Sequence, residues 1–124
     1  MNYLYFAEAL VETGGASNPE ALLVPASSYL GCNPVSATAT DVFFKQIDGT
    51  VTGREGIRIA HANAADGGGF KNLVRALALA MNANYPSNDG FIVFADMETG
   101  TAVNKDTELT KLVNGLGITS VAIA

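Results

Sequence analysis

The residues of this 124-residue chain that most readily suggest chemistry are three consecutive glycines and a nearby lysine, Gly67-Gly68-Gly69-Phe70-Lys71. They stand between a strand-like run, "GIRIAHA", and an amphipathic helical run, "FKNLVRALALAMNAN". Strand, glycine loop and helix together form a common phosphate cradle, because N–H groups at a helix start lack intrahelical partners and carry the positive end of the helix dipole. A Walker loop also needs Lys followed by Ser or Thr, the ammonium for the terminal phosphates and the hydroxyl for magnesium. Here Lys71 is followed by Asn72. A dinucleotide fingerprint needs G-x-G-x-x-G with an acidic residue about 20 positions on, a spacing that a run of three glycines does not satisfy. What survives is a generic anion site built from Gly68, Gly69 and Lys71. The competing reading makes the glycines a tight corner at positive φ, with Phe70 anchoring the helix start in the core.

His61 is the only histidine, and general-base, metal and nucleophile roles all require partners for it. None of GxSxG, HExxH, HxE or CxxC occurs, so His61 reads as a satisfied core or interface residue. Asp96 and Glu98 stand two apart at a strand end and could pair as carboxylates, yet nothing supplies the second element of an acid/base site. Asp48-Gly49, Asp66-Gly67 and Asp89-Gly90 lack the spacing of a calcium loop and read as turns. The single cysteine, Cys32, excludes an intrachain disulfide and a multi-cysteine metal site; it reads as a free core thiol in a reducing compartment. No catalytic residue, cofactor or metal is expected.

Bulk properties narrow the partners. Seven Lys and Arg against twelve Asp and Glu give a net charge of −5, with the basic residues scattered, which disfavours binding to nucleic-acid phosphates. No run reaches the roughly 18 to 20 apolar residues of a membrane span, and "MNYLYFAEALVE" lacks the basic start of a secretion signal, so a soluble, unexported protein is expected. Hydrophobic residues make up 48% and charged ones 15%, against about 25% charged in an ordinary domain. So few charges leave apolar surface to bury against another copy or a partner.

The elements that would position these residues read as one domain over 1–124. "NYLYFAEAL" is a first strand and "ALLVPA" a second, confined by Pro25 to an edge or bulge, while "SSYLGCNPVSA" reads as an ordered loop. "TATDVFFKQI" and "GIRIAHA" form a hairpin. Alternation puts Thr40, Val42 and Phe44 on one face and Asp41, Phe43, Lys45 and Ile47 on the other; Ile57, Ile59 and His61 likewise oppose Arg58, Ala60 and Ala62. Apolar residues on both faces predict a sheet covered on both sides, by the helix and by a neighbouring subunit, with Phe43 and His61 as interface candidates. In the helix over 70–84, Phe70, Val74, Leu77 and Met81 form the core stripe. Winding at about 100° per residue sets Leu79 in the polar arc, beside Ala76 and Ala83, as a further interface candidate. Pro86 ends that helix, and "FIVFADM" is apolar on both faces like a central strand. Residues 107–114 have helical spacing behind an Asp106 cap, limited to two or three turns by Gly115 and Gly117, and "ITSVAIA" is a last strand. The class is α+β: a mainly antiparallel sheet or partly open barrel of about six strands packed on one main helix.

Taken as a series, "GIRIAHA", "FKNLVRALALAMNAN", "GFIVFADM" and "ITSVAIA" resemble the strand, alanine-rich helix, strand before an acidic turn and apolar last strand of small virion structural proteins of marine tailed bacteriophages. The resemblance spans about residues 38–124 and leaves "GGASNPEALLVPASSYLGCNP" and the glycine run unmatched. It implies a non-enzymatic structural or assembly protein, acting by homo-oligomerisation in a virion assembled in the host cytoplasm, with itself and other virion proteins as partners. The alternative from the residues alone is a small-molecule or anion-binding module using the Gly67–Gly69 loop.

Overall fold

Alternating side chains decide which side of each strand meets the core in the computed structural model, which describes residues 2–9, 21–45, 54–63, 69–82 and 90–123. In β1 (Tyr3–Ala7), Leu4 and Phe6 are fully buried and Tyr3 and Tyr5 point the other way. β1 is the centre of a three-stranded sheet, antiparallel to β2 (Ala21–Pro25) and parallel to β6 (Phe91–Asp96). β6 is therefore an edge strand rather than the central one its apolar pattern predicts. Its outer edge is met by a side chain: Val93 N–H donates to Asn104 Oδ1 at 2.7 Å and Asn104 Nδ2 donates to Val93 O at 3.0 Å.

The second sheet has the order β3 (Tyr29–Ser36), β4 (Ala39–Lys45), β5 (Arg54–Ala60) and β7 (Ser120–Ile123), all antiparallel. β3 occupies the segment expected to be a loop. As an edge strand it needs only one row of backbone hydrogen bonds, so register shifts at Tyr29/Gly31 and Pro34/Ser36 accommodate the residues that mask its pattern. The hairpin strands follow the expected alternation: Thr40, Val42, Phe44, Ile57, Ile59 and His61 are buried, while Arg58 and Lys45 are exposed. The connection over 46–53, including Ile47 and Asp48-Gly49, lies outside the described residues.

α1 (Gly69–Asn82) begins one residue before the expected start, and 83–89, with Ala83, Pro86 and Asp89, lie outside the described residues. Its buried stripe is Leu73, Ala76, Leu77 and Ala80, whereas Phe70, Val74 and Met81 are half-buried. Contrary to the stripe expected from apolar spacing, Ala76 belongs to the core and Phe70 does not anchor it. Small alanines let the helix backbone sit close to the sheet, an advantage that a count of large apolar residues misses. α2 (Thr107–Asn114) starts as expected, with the Asp106 carboxylate accepting from the N–H groups of Glu108 and Leu109.

The elements share one core. Phe6 packs at a tilt against Phe94 in its own sheet and Phe44 in the other, with ring centroids 5.5 and 5.8 Å apart, and α1 packs on β1, β6 and α2. The result is α+β, with two mostly antiparallel sheets, seven described strands and a partly open arrangement. No described helix is long and apolar enough to cross a membrane.

Candidate functional site

β5 runs on into His61, which the alternation turns inward to 3% exposure. Its Nδ1 lies 3.0 Å from Ala62 O, an atom that can only accept, so Nδ1 carries the proton. In the neutral ring Nε2 then accepts from the buried Thr40 hydroxyl at 2.9 Å. Both ring nitrogens are thereby hydrogen-bonded within the chain, as expected of a satisfied core histidine.

The helix start sits against the same corner. A Cβ on Gly69 would lie 2.7 Å from Ala62 O and 3.3 Å from two atoms of the His61 ring. Gly69 is required by this close approach and not by positive φ, which it does not adopt. Gly117 also approaches Ala62: it has φ +64°, and a Cβ there would come within 2.8 Å of Ala62 Cβ. Ala62 thus meets two glycines closely, and its N–H donates to Leu116 O at 3.1 Å. Of the expected anion site, Gly68 lies outside the described residues together with Asp66 and Gly67; Gly69 is buried, and Lys71 is exposed. The depression of about 100 Å³ beside the helix start is lined by Ala62, Gly69, Asn72, Gly115 and Leu116, so Lys71 is not part of its wall.

The acidic strand end is a turn. Asp96 Oδ1 accepts from Glu98 N–H at 3.1 Å and Thr99 N–H at 3.4 Å, which leaves it engaged locally rather than with His61. Burial first, and then the charges of Asp96 and Glu98, raise the Tyr5 phenol above its ordinary value. Cys32 is half-buried in the edge strand rather than deep in the core, and its Sγ accepts from Tyr29 O–H at 3.3 Å. Burial, followed by that bond, pushes the Tyr29 phenol up to about 12.

The more distinctive feature is surface. On the outer face of the three-stranded sheet, Pro25, Tyr3 and Phe91 form one cross-strand row and Leu23, Tyr5 and Val93 another. Tyr3, Leu23 and Phe91 are 42%, 45% and 44% exposed, and the rings of Tyr5 and Phe91 lie 5.5 Å apart. Sequence reasoning missed this face, although β1, β2 and β6 contain no Lys or Arg and are apolar on both sides. Leu79 is 46% exposed, as its place in the polar arc predicts, and shares a depression of about 390 Å³ with Glu108, Lys111 and Leu112. Phe43 is half-buried on the outer face of the four-stranded sheet, on the side away from Val42 and Phe44. It lines a depression with Asp41 and Arg58, which pair through two hydrogen bonds of 2.8 and 3.0 Å. Comparison with protein-family models, curated proteins and solved structures finds no match.

Proposed function

We propose that this protein is a non-enzymatic assembly protein that acts by binding copies of itself. The observation that carries the reading is the outer face of the three-stranded sheet, where Tyr3, Leu23 and Phe91 meet solvent side by side. Contiguous apolar surface of this kind is costly to leave in water and marks an interaction site, unlike apolar residues scattered singly. The exposed Leu79 and half-buried Phe43 add to it. The engagement of His61 with Thr40 and Ala62 supports the non-enzymatic part, since the chain's one imidazole is committed to its own fold. An anion-binding role gains no comparable support, because Gly69 is packed against His61 and Ala62 and Lys71 stands apart from that corner.

The setting in a phage virion rests on the resemblance of the element series over about 38–124 to small virion structural proteins of marine tailed bacteriophages. Size-exclusion chromatography with light scattering tests self-association: a stable multiple of the single-chain mass is expected, and a single-chain mass at high protein concentration would overturn it. Gene neighbourhood tests the setting, with adjacent capsid, portal or tail genes expected and a neighbourhood of unrelated metabolic genes counting against it.

A further inference from the structure

Resting on the self-association reading, we infer that the contact between copies is head-to-tail: the outer face of the three-stranded sheet in one copy receives the exposed ridge of α1 and α2 in the next. The ridge is built by helical spacing. Lys71, Arg75 and Leu79 follow one another at intervals of four on the exposed side of α1, with Lys111 and Leu112 of α2 beside Leu79. It carries three of the chain's seven basic residues and one acidic residue, Glu108, on a chain of net charge −5. The sheet face has the complementary character. Its strands contain no basic residue, its middle is Tyr3, Tyr5 and Leu23, and Asp96 and Glu98 lie near enough to act on the Tyr5 phenol.

Three features select this arrangement. Two sheet faces brought together would set Asp96 and Glu98 against like charges, and two ridges would do the same with Lys71 and Arg75, whereas face on ridge pairs opposite charges around apolar centres. The surfaces also look in opposite directions. The buried stripe of α1 joins the same core as Leu4, Phe6, Ile92 and Phe94 on the inner side of the sheet, so the ridge and the sheet's outer face bound that two-layer stack from either side. Finally, strand addition is blunted. Asn104 occupies the edge of β6, the Glu8 carboxylate accepts from Ile123 N–H of β7 at 2.7 Å, β3 is interrupted by shifts and Pro34, and short β2 ends in Pro25. Association therefore goes through faces, and a face-to-ridge contact is heterologous: it closes into a ring or continues as a filament.

The test uses two single variants and their mixture. Leu79→Asp places a negative charge on the ridge and Leu23→Lys a positive one on the sheet face; each alone is expected to weaken association about tenfold or more. Mixed in equal amounts they restore one intact contact, because the Leu23→Lys chain keeps its ridge and the Leu79→Asp chain keeps its sheet face. A one-to-one heterodimer is the expected product, or a longer alternating assembly where the two new charges pair across the second contact. Two separate monomers in the mixture would overturn the inference, as would either variant alone retaining the wild-type mass, which would leave self-association standing through another surface. A monomeric wild type would instead defeat self-association itself. Both positions are nearly half exposed, and a thermal melt checks that each variant folds. Should either fail that check, Arg75→Glu replaces it: this change is expected to weaken association, and Glu98→Lys in the same chain to restore it. No restoration would refute the pairing.

Discussion

Replacing Gly69 with alanine separates a packing role from a ligand-binding one, and the structure fixes the expected sign. The added Cβ would stand 2.7 Å from Ala62 O, whereas carbon and carbonyl oxygen ordinarily approach no closer than about 3.3 Å. The shortfall, about 0.6 Å, falls on a backbone atom that cannot swing aside as a side chain would. Ala62 O also accepts the His61 Nδ1–H bond, so moving it strains a partly buried contact. Overpacking of this kind costs about 1–3 kcal/mol, and a weakened hydrogen bond about 1 kcal/mol more. Against that stands a gain of up to about 1 kcal/mol from replacing a helical glycine with alanine. The clash wins, for a net loss of about 1–3 kcal/mol, equivalent to a fall in Tm of about 3 °C or more for a domain of this size. Thermal melts followed by far-ultraviolet circular dichroism measure it, with Lys71→Ala as an exposed control expected to change stability by less than about 0.5 kcal/mol. If Gly69→Ala melts at or above the wild-type temperature, α1 does not press on the end of β5 and the account of this corner is wrong.

Other substitutions test neighbouring steps. Thr40→Val keeps shape but removes the donor to His61 Nε2, leaving a buried acceptor unsatisfied; denaturant titration should show a loss of about 1–3 kcal/mol, with Thr40→Ser close to wild type. Asn104→Ala strips the partner from both backbone groups of Val93 and should destabilise by about 1–2 kcal/mol, accelerating amide exchange at Val93 above all other β6 positions. The Tyr29 phenol is raised from 10.0 to about 12 in the fold, so its contribution is fully present below pH 10 and is lost as pH rises through about 12. Alkaline melts should steepen over that interval in the wild type and flatten in Tyr29→Phe; identical alkaline profiles would remove burial and the Cys32 bond as the cause.

Local periodicity was legible where both faces of an element obeyed it. Thr40, Val42 and Phe44 against Asp41 and Lys45, and Ile57, Ile59 and His61 against Arg58, are assigned correctly because a strand's period of two follows from the backbone alone. The Asp106 cap of α2 was legible for a similar reason, since a carboxylate before helical spacing satisfies N–H groups a few residues away. β3 was not, because Gly31 and Pro34 sit at register shifts that only an edge strand tolerates, and nothing within eight residues says that a strand will lie at an edge.

The amino-acid sequence by itself therefore determined the alternation within strands, the existence of both helices, the α+β class, and a composition rich in apolar and poor in charged residues. Tertiary structure alone decided where apolar side chains reach the surface. Tyr3, Leu23 and Phe91 become one face only because strands distant in sequence pair in a particular register. Ala76 enters the core, Gly69 becomes a close contact and His61 finds Thr40 through the same long-range packing. Periodicity is a property of the backbone and can be read over a few residues, but proximity between distant segments is set by how the whole core closes, and no local pattern carries it.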